Sequence, residues 1–154
     1  PLQEMFNNAH LRNRGIGGNT RTAIKQRVDE VCEGHPAKVF IELGINDITG
    51  GDDPQTILMT LDSICQKIMS VSPETKIYLQ SILPTAYGNK KYNSVISDYN
   101  LLLKEYSTKS GHTYINTHDA FLDGSSMNTD LTTDGIHLTG KGYLVWKSVI
   151  KKYL

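Results

Sequence analysis

This chain of 154 residues has a formal net charge of zero, few cysteines and no long apolar run. Sixteen basic side chains balance sixteen acidic ones, so the chain lacks the basic excess that is typical of nucleic-acid or membrane-surface partners. No segment approaches the roughly 20 apolar residues of a membrane-spanning helix. The first ten residues show no secretion signal. A removed signal would leave no trace, so the cellular location stays open.

Only two cysteines are present, Cys32 and Cys65. Each lies among apolar residues in a helical pattern, and neither belongs to a Cys-x-x-Cys motif or to a cluster with histidine. We expect two buried free thiols, and a disulfide bond or a reactive thiol are the alternatives.

Low-complexity tracts and internal repeats are also missing, and short β-branched runs alternate with longer helical patterns. The runs 38–43 and 75–82 predict strands buried on both faces, and 11–16 and 112–117 predict shorter strands. Four segments with apolar residues every three or four positions predict helices: 20–33, 54–72, 92–110 and 139–154. This alternation predicts one α/β domain over residues 1–154, a parallel sheet in three layers.

Polar and glycine-rich segments follow the predicted strands, at the carboxyl ends where such sheets bind ligands. "NRGIGGNT" (13–20) places the N–H of Gly18 at a helix start, and "LGINDITGG" (43–51) offers the side-chain amide of Asn46 as a donor. We expect the neighbouring Asp47 to bond the backbone of its own turn. Taken alone, each segment is better explained as an ordinary turn.

A third segment, "TTDGIHLTGKGYLVW" (132–146), sets Asp134 three residues before His137. A carboxylate at this spacing can bond one imidazole nitrogen and leave the other free as a general base. Two donors and such a base are the groups that stabilise an oxyanion and activate a hydroxyl. A phosphate cradle at 15–20 is the competing interpretation, but neither a P-loop lysine nor a complete G-x-G-x-x-G motif is present.

These segments resemble blocks II, III and V of the SGNH, or GDSL-type, hydrolases. The resemblance implies a flavodoxin-like three-layer α/β/α sandwich and hydrolysis of esters, often acyl or acetyl esters of carbohydrates or lipids. It assigns Gly18 and Asn46 as oxyanion donors, His137 as the base and Asp134 as its orienting acid. It requires no cofactor or metal ion, and its partner is a small-molecule ester. Tyr87, Asn89 and Tyr92 are weaker candidates for lining the acyl or leaving-group side. We expect a monomer or a weakly associating protein.

The serine of block I, in a G-D-S or G-N-S motif, has no counterpart in the chain. Only seventeen residues precede Gly18, and none is serine. Ser125 and Ser126 follow Asp-Gly and are the nearest imitation. We expect the N-terminal strand and its serine to lie outside these 154 residues, with that strand pairing between 11–16 and 38–43. A non-catalytic binding domain on the same fold is the alternative function.

Overall fold

A parallel sheet of three strands forms the centre of the computed structural model, which describes residues 2–154 and the side chains from Glu4 onward. The strand order is β1-β2-β3, with Lys38 level with Lys76 and Leu79 level with Tyr114. The strands are β1 (Lys38–Ile41), β2 (Lys76–Gln80) and β3 (Thr113–Ile115). These strands lie inside three of the four predicted runs.

The helices lie before, between and after these strands. They are α1 (Leu2–Phe6), α2 (Arg21–Gln26), α3 (Val28–Cys32), α4 (Ile45–Gly50), α5 (Pro54–Val71), α6 (Asn93–Ser110) and α7 (Gly140–Ile150). A short hairpin, β4 (Leu122–Asp123) with β5 (Ser126–Met127), completes the regular structure of the described residues together with four 3₁₀ turns. None of the described helices is both long enough and apolar enough to span a bilayer.

Helix α5 begins and packs as its sequence predicts. The Asp53 carboxylate accepts the N–H of Thr56 at 3.0 Å, and Pro54 occupies the first turn, where its missing N–H costs nothing. Its apolar stripe is buried against the sheet and α6, with Leu61 1% exposed. The confirmed helix supplies one face of the main core, which is the buried apolar cluster that includes Ile57, Leu61 and Leu79.

The two faces of the sheet are covered by different helices. Ile77 and Leu79 of β2 belong to the main core with α5 and α6. Their neighbour Gln80 accepts a hydrogen bond at 2.9 Å from the indole of Trp146 on α7. Side chains alternate along a strand, so α7 lies on the opposite face. The α/β fold with three layers is therefore confirmed.

The predicted strand at 11–16 is wrong. The segment has no strand structure and forms no ladder with β1. Its only apolar residues are Leu11, which is half-buried, and Ile16, which is 57% exposed, so the segment has no fully buried apolar face. Within the described residues, β1 therefore pairs with β2 alone and its other edge has no strand partner.

Two predicted helices differ in extent from the observed ones. The segment 20–33 forms α2 and α3, separated at Arg27, whose backbone leaves the helical region at φ −108° and ψ 2°. The final helix ends at Ile150 and continues as a 3₁₀ turn at Lys151–Tyr153. The prediction for the cysteines is confirmed, because Cys32 and Cys65 are both free and buried.

Leu61→Ala should lower the free energy of unfolding by about 2–5 kcal/mol, because the truncation leaves a cavity in the main core. Met59 lies on the same helix and is 65% exposed, so Met59→Ala should stay within about 0.5 kcal/mol of wild type. Urea denaturation of both variants measures the difference. Equal losses in the two variants would contradict the described orientation of α5.

Candidate active site

Asp134 and His137 form a hydrogen-bonded pair in the turn before α7. Asp134 Oδ2 lies 2.7 Å from His137 Nδ1, while Asp134 Oδ1 accepts the backbone N–H groups of His137 at 2.8 Å and Ile136 at 3.0 Å. The backbone N–H of His137, its ring and the N–H of Ile136 hold the pKa of Asp134 well below its usual range. The carboxylate therefore stays ionised and favours a proton on Nδ1.

The second ring nitrogen of His137 is open to an incoming group. The imidazole is 77% exposed, and Nε2 makes no hydrogen bond to any described residue. With the proton held on Nδ1 by Asp134, Nε2 carries the lone pair of a neutral ring. The pair can therefore accept a proton from a hydroxyl placed against it.

The loop after β2 fixes the position of this turn. Ala86 N–H donates to the Gly135 carbonyl at 3.0 Å, and the Asn89 amide donates to the Asp134 carbonyl at 3.2 Å. Gly135 has φ 92°, and a Cβ there would lie 2.4 Å from the Ala86 carbonyl oxygen. Only glycine fits this contact, so residue 135 has a steric role beside the pair.

Gly18 lies at a tight turn that leaves its N–H without an acceptor among the described residues. The turn is closed by Asn19 N–H, which donates to the Ile16 carbonyl at 3.3 Å, and Gly18 itself has φ 78°. The residue is exposed. Its N–H is thus available as a hydrogen-bond donor.

Asn46, in the first turn of α4, lies next to this Gly18 turn. Its side-chain nitrogen donates to the Asn19 carbonyl at 2.8 Å. An amide nitrogen carries two hydrogens, so a second N–H remains for another acceptor. Because Asn19 follows Gly18 directly, the bond brings the two predicted donors into one neighbourhood.

The prediction that Asp47 bonds the backbone of its own turn is wrong. The carboxylate accepts the backbone N–H of Arg21 at 3.1 and 3.0 Å and the Arg21 guanidinium at 2.9 Å, instead of capping its own turn. Arg21 also contacts Asp52. The guanidinium offers a stronger, charged partner than a local N–H, and no sequence pattern marks a contact across 26 residues.

The predicted residues form two groups, Asp134 with His137 and Gly18 with Asn46. No hydrogen bond or ion pair within the described part of the chain joins one group to the other. The convergence of both groups on one point stays a prediction.

None of the described serine hydroxyls forms a hydrogen bond with the His137 side chain. Ser125 and Ser126 lie at the β4–β5 turn, where the Ser125 carbonyl accepts the Asn93 amide at 3.1 Å. Of the weaker candidates, Tyr87 is 52% exposed in the loop that holds the Asp134 turn, while Tyr92 packs against the main core instead.

Two polar groups near these segments were not predicted. The Asn19 side-chain nitrogen is buried without a hydrogen-bond partner. Glu42 follows β1 and is exposed to solvent. The described residues contain no group of three or more His, Cys, Asp or Glu side chains that could hold a metal ion.

The family model of the GDSL-like lipases and acylhydrolases matches residues 1–145. Thioesterase 1/protease 1/lysophospholipase L1 of Escherichia coli is 34% identical over 96 residues, which are 61% of this chain and 45% of that protein. An N-acylneuraminate cytidylyltransferase of Streptococcus agalactiae is 23% identical over 132 residues, 84% of this chain and 31% of that protein. The chain thus spans less than half the length of these curated relatives.

Solved structures show the same fold. A GDSL-like lipase from Bacteroides thetaiotaomicron superposes with a TM-score of 0.82 at 26% identity, covering 91% of this chain and 73% of that chain. A catalytic mutant of an acetylxylan esterase from Geobacillus stearothermophilus gives 0.76 at 21% identity, covering 91% and 69%. The family match over most of the chain, together with these folds, means that the chain belongs to the GDSL-like lipase/acylhydrolase family.

Proposed function

We propose that the protein is a serine-dependent ester hydrolase in which His137 is the general base. The observation that carries the proposal is the 2.7 Å contact between Asp134 and His137, which leaves Nε2 exposed and unpaired among the described residues. A carboxylate–imidazole pair of this geometry supports removal of a proton from a hydroxyl. Family membership supports acyl-ester chemistry for the same pair.

The nucleophile in this proposal is a serine outside these 154 residues. We place it at the carboxyl end of a strand that pairs with the edge of β1 left open within the described residues. In a parallel sheet, a strand at that edge ends on the same side as the loop that carries Asn46. With no strand at 11–16, this strand borders β1 only, which revises the predicted position between two strands.

The proposed reaction proceeds in two halves. The serine oxygen attacks the ester carbonyl while His137 Nε2 takes its proton, and the imidazolium then protonates the leaving alcohol. Water repeats the attack on the acyl-enzyme, releasing the acid and restoring the serine. Asp134 holds the ring and stabilises its positive charge, while the Gly18 N–H and the Asn46 amide donate to the oxyanion.

Short acyl or acetyl esters of carbohydrates or lipids are the proposed substrates. The loops that follow the three described strands are short and include no long apolar segment that could form a lid, which supports small acyl groups. Two surface depressions of the described residues, one lined by Lys104, Glu105, Thr108 and Lys109 and the other around His35 and Glu74, include none of the proposed catalytic residues. The Escherichia coli relative, named a thioesterase and a lysophospholipase, supports an acyl substrate.

His137→Ala in the intact protein should lower kcat on p-nitrophenyl acetate on the order of 10⁴-fold or more, because no other group removes the serine proton. His118 is a matched control, since its ring lies 3.2 Å from Asp119 in another turn. His118→Ala should keep kcat within about threefold of wild type, the range of an ordinary structural substitution. Near-normal turnover in His137→Ala would reject the site and favour a non-catalytic binding domain.

Asn46→Ala should lower kcat by about 10²–10³-fold with a smaller change in KM, because an oxyanion donor acts mainly in the transition state. Thr49 lies on the same helix and donates to the Asn46 carbonyl at 3.1 Å. Thr49→Ala therefore controls for disturbance of α4 and should retain near-wild-type kcat. Equal losses in the two variants would assign the effect to the helix.

A series of p-nitrophenyl esters from acetate to palmitate tests the substrate class. We expect kcat/KM to be highest for the two- to four-carbon acyl groups and to fall by about tenfold or more for palmitate, because a site bordered by short loops buries few methylenes. A maximum at long chains would contradict the proposed preference while leaving the catalytic residues unaffected.

A further inference from the structure

Asp47 is a buried carboxylate that joins the segments carrying the two proposed oxyanion donors. It is 2% exposed and accepts the backbone N–H of Arg21 with both of its oxygens, at 3.1 and 3.0 Å. Arg21 is the first residue of α2, and Thr20 before it makes no side-chain cap. The Asp47 carboxylate therefore caps α2 from a distance of 26 residues in the sequence.

The Arg21 side chain is the charged partner of the buried Asp47 carboxylate. A carboxylate removed from water is costly unless a cation and hydrogen bonds compensate for the lost hydration. Arg21 Nη1 lies 2.9 Å from Asp47 Oδ1, and the same nitrogen contacts Asp52. The guanidinium is 16% exposed and Asp52 is 44% exposed, so one cationic nitrogen connects a buried carboxylate to a surface one.

Two consecutive residues of α4 thus hold the segment that follows Gly18. Asn46 donates to the Asn19 carbonyl at 2.8 Å, and Asp47 receives the Arg21 N–H. Gly18 immediately precedes this segment, so these two bonds tie the Gly18 turn to the helix that carries Asn46. A shift of either bond would change the spacing of the two donors.

We propose that Arg21 is a positioning residue that, by pairing with Asp47 and Asp52, keeps the Gly18 N–H and the Asn46 amide at the spacing required to bind one oxyanion. This inference rests on the hydrolase function proposed above. Arg21 acts through Asp47 and does not contact the ester. Without the guanidinium, the buried Asp47 carboxylate loses its charged partner, and the change in its surroundings weakens its bonds to the start of α2.

Three variants of the intact protein test the proposal: Arg21→Met, Arg21→Lys and Lys25→Met. Arg21→Met removes the cation, and a displacement of about 1 Å at an oxyanion donor can cost about 10²-fold in rate. We expect kcat on p-nitrophenyl acetate to fall about 10–100-fold with KM within about threefold. Arg21→Lys should recover most of the loss, since a single cationic nitrogen makes both contacts. Lys25 is exposed on the same helix and controls for removal of a charge.

Two measurements separate positioning from simple loss of folded protein. Titration of the serine with a chromogenic phosphonate counts competent sites, and kcat is expressed per titrated site. A double-mutant cycle then combines Arg21→Met with Asn46→Ala. If Arg21 acts through the donors, its substitution should lower kcat at least threefold less in the Asn46→Ala background than in wild type.

The outcomes distinguish the two proposals. A wild-type kcat per titrated site in Arg21→Met, or the same loss in Lys25→Met, overturns the positioning role while the hydrolase function stands. A full additive loss in the double variant also overturns it. A wild-type protein that hydrolyses no ester, or an active His137→Ala variant, rejects the proposed function, and the role of Arg21 fails with it.

Discussion

Parallel pairing of the three central strands is the constraint on which the candidate site depends. Each strand runs in the same direction, with Phe40 level with Tyr78 and Tyr78 level with Thr113. The segments that follow β1 and β2 therefore leave the sheet at the same end, where the carboxyl ends of the strands lie. The first becomes α4 with Asn46, and the second becomes the loop that bonds the Asp134 turn. The proposed catalytic groups, which lie far apart in sequence, come after this same end of the sheet because the helices return the chain to the opposite end each time.

The parts of the molecule that were predictable from the sequence depend on short-range interactions. Helix α5 combines a cap, a proline at its first turn and a continuous apolar stripe, all within 54–72 and its preceding residue. The Asp134–His137 pair spans three residues and needs only a turn. In both cases the interacting groups are close in sequence, so a residue pattern is enough to specify them.

The sequence did not predict contacts between residues far apart in the chain. It also predicted a strand at 11–16, where the side chains are not buried by the rest of the fold. Arg21 pairs with Asp47 and Asp52, 26 and 31 residues away, and no local pattern distinguishes it from an ordinary surface arginine. The segment 11–16 contains residues compatible with a strand, but it lacks a buried face and a neighbouring ladder. A strand forms only where both are supplied by the rest of the fold.

The two contacts that hold the candidate site differ in how they respond to solution conditions. The Arg21–Asp52 pair is partly exposed, so dissolved salt screens it. The contact between Gly135 and Ala86 combines a backbone hydrogen bond with close packing that leaves room for a hydrogen atom and none for a methyl group. Neither the hydrogen bond between uncharged backbone groups nor the close packing is screened by dissolved salt. The Asp134 turn should therefore keep its distance from the β2 loop in high salt. The distance between the Gly18 turn and α4, in contrast, should change with the salt concentration.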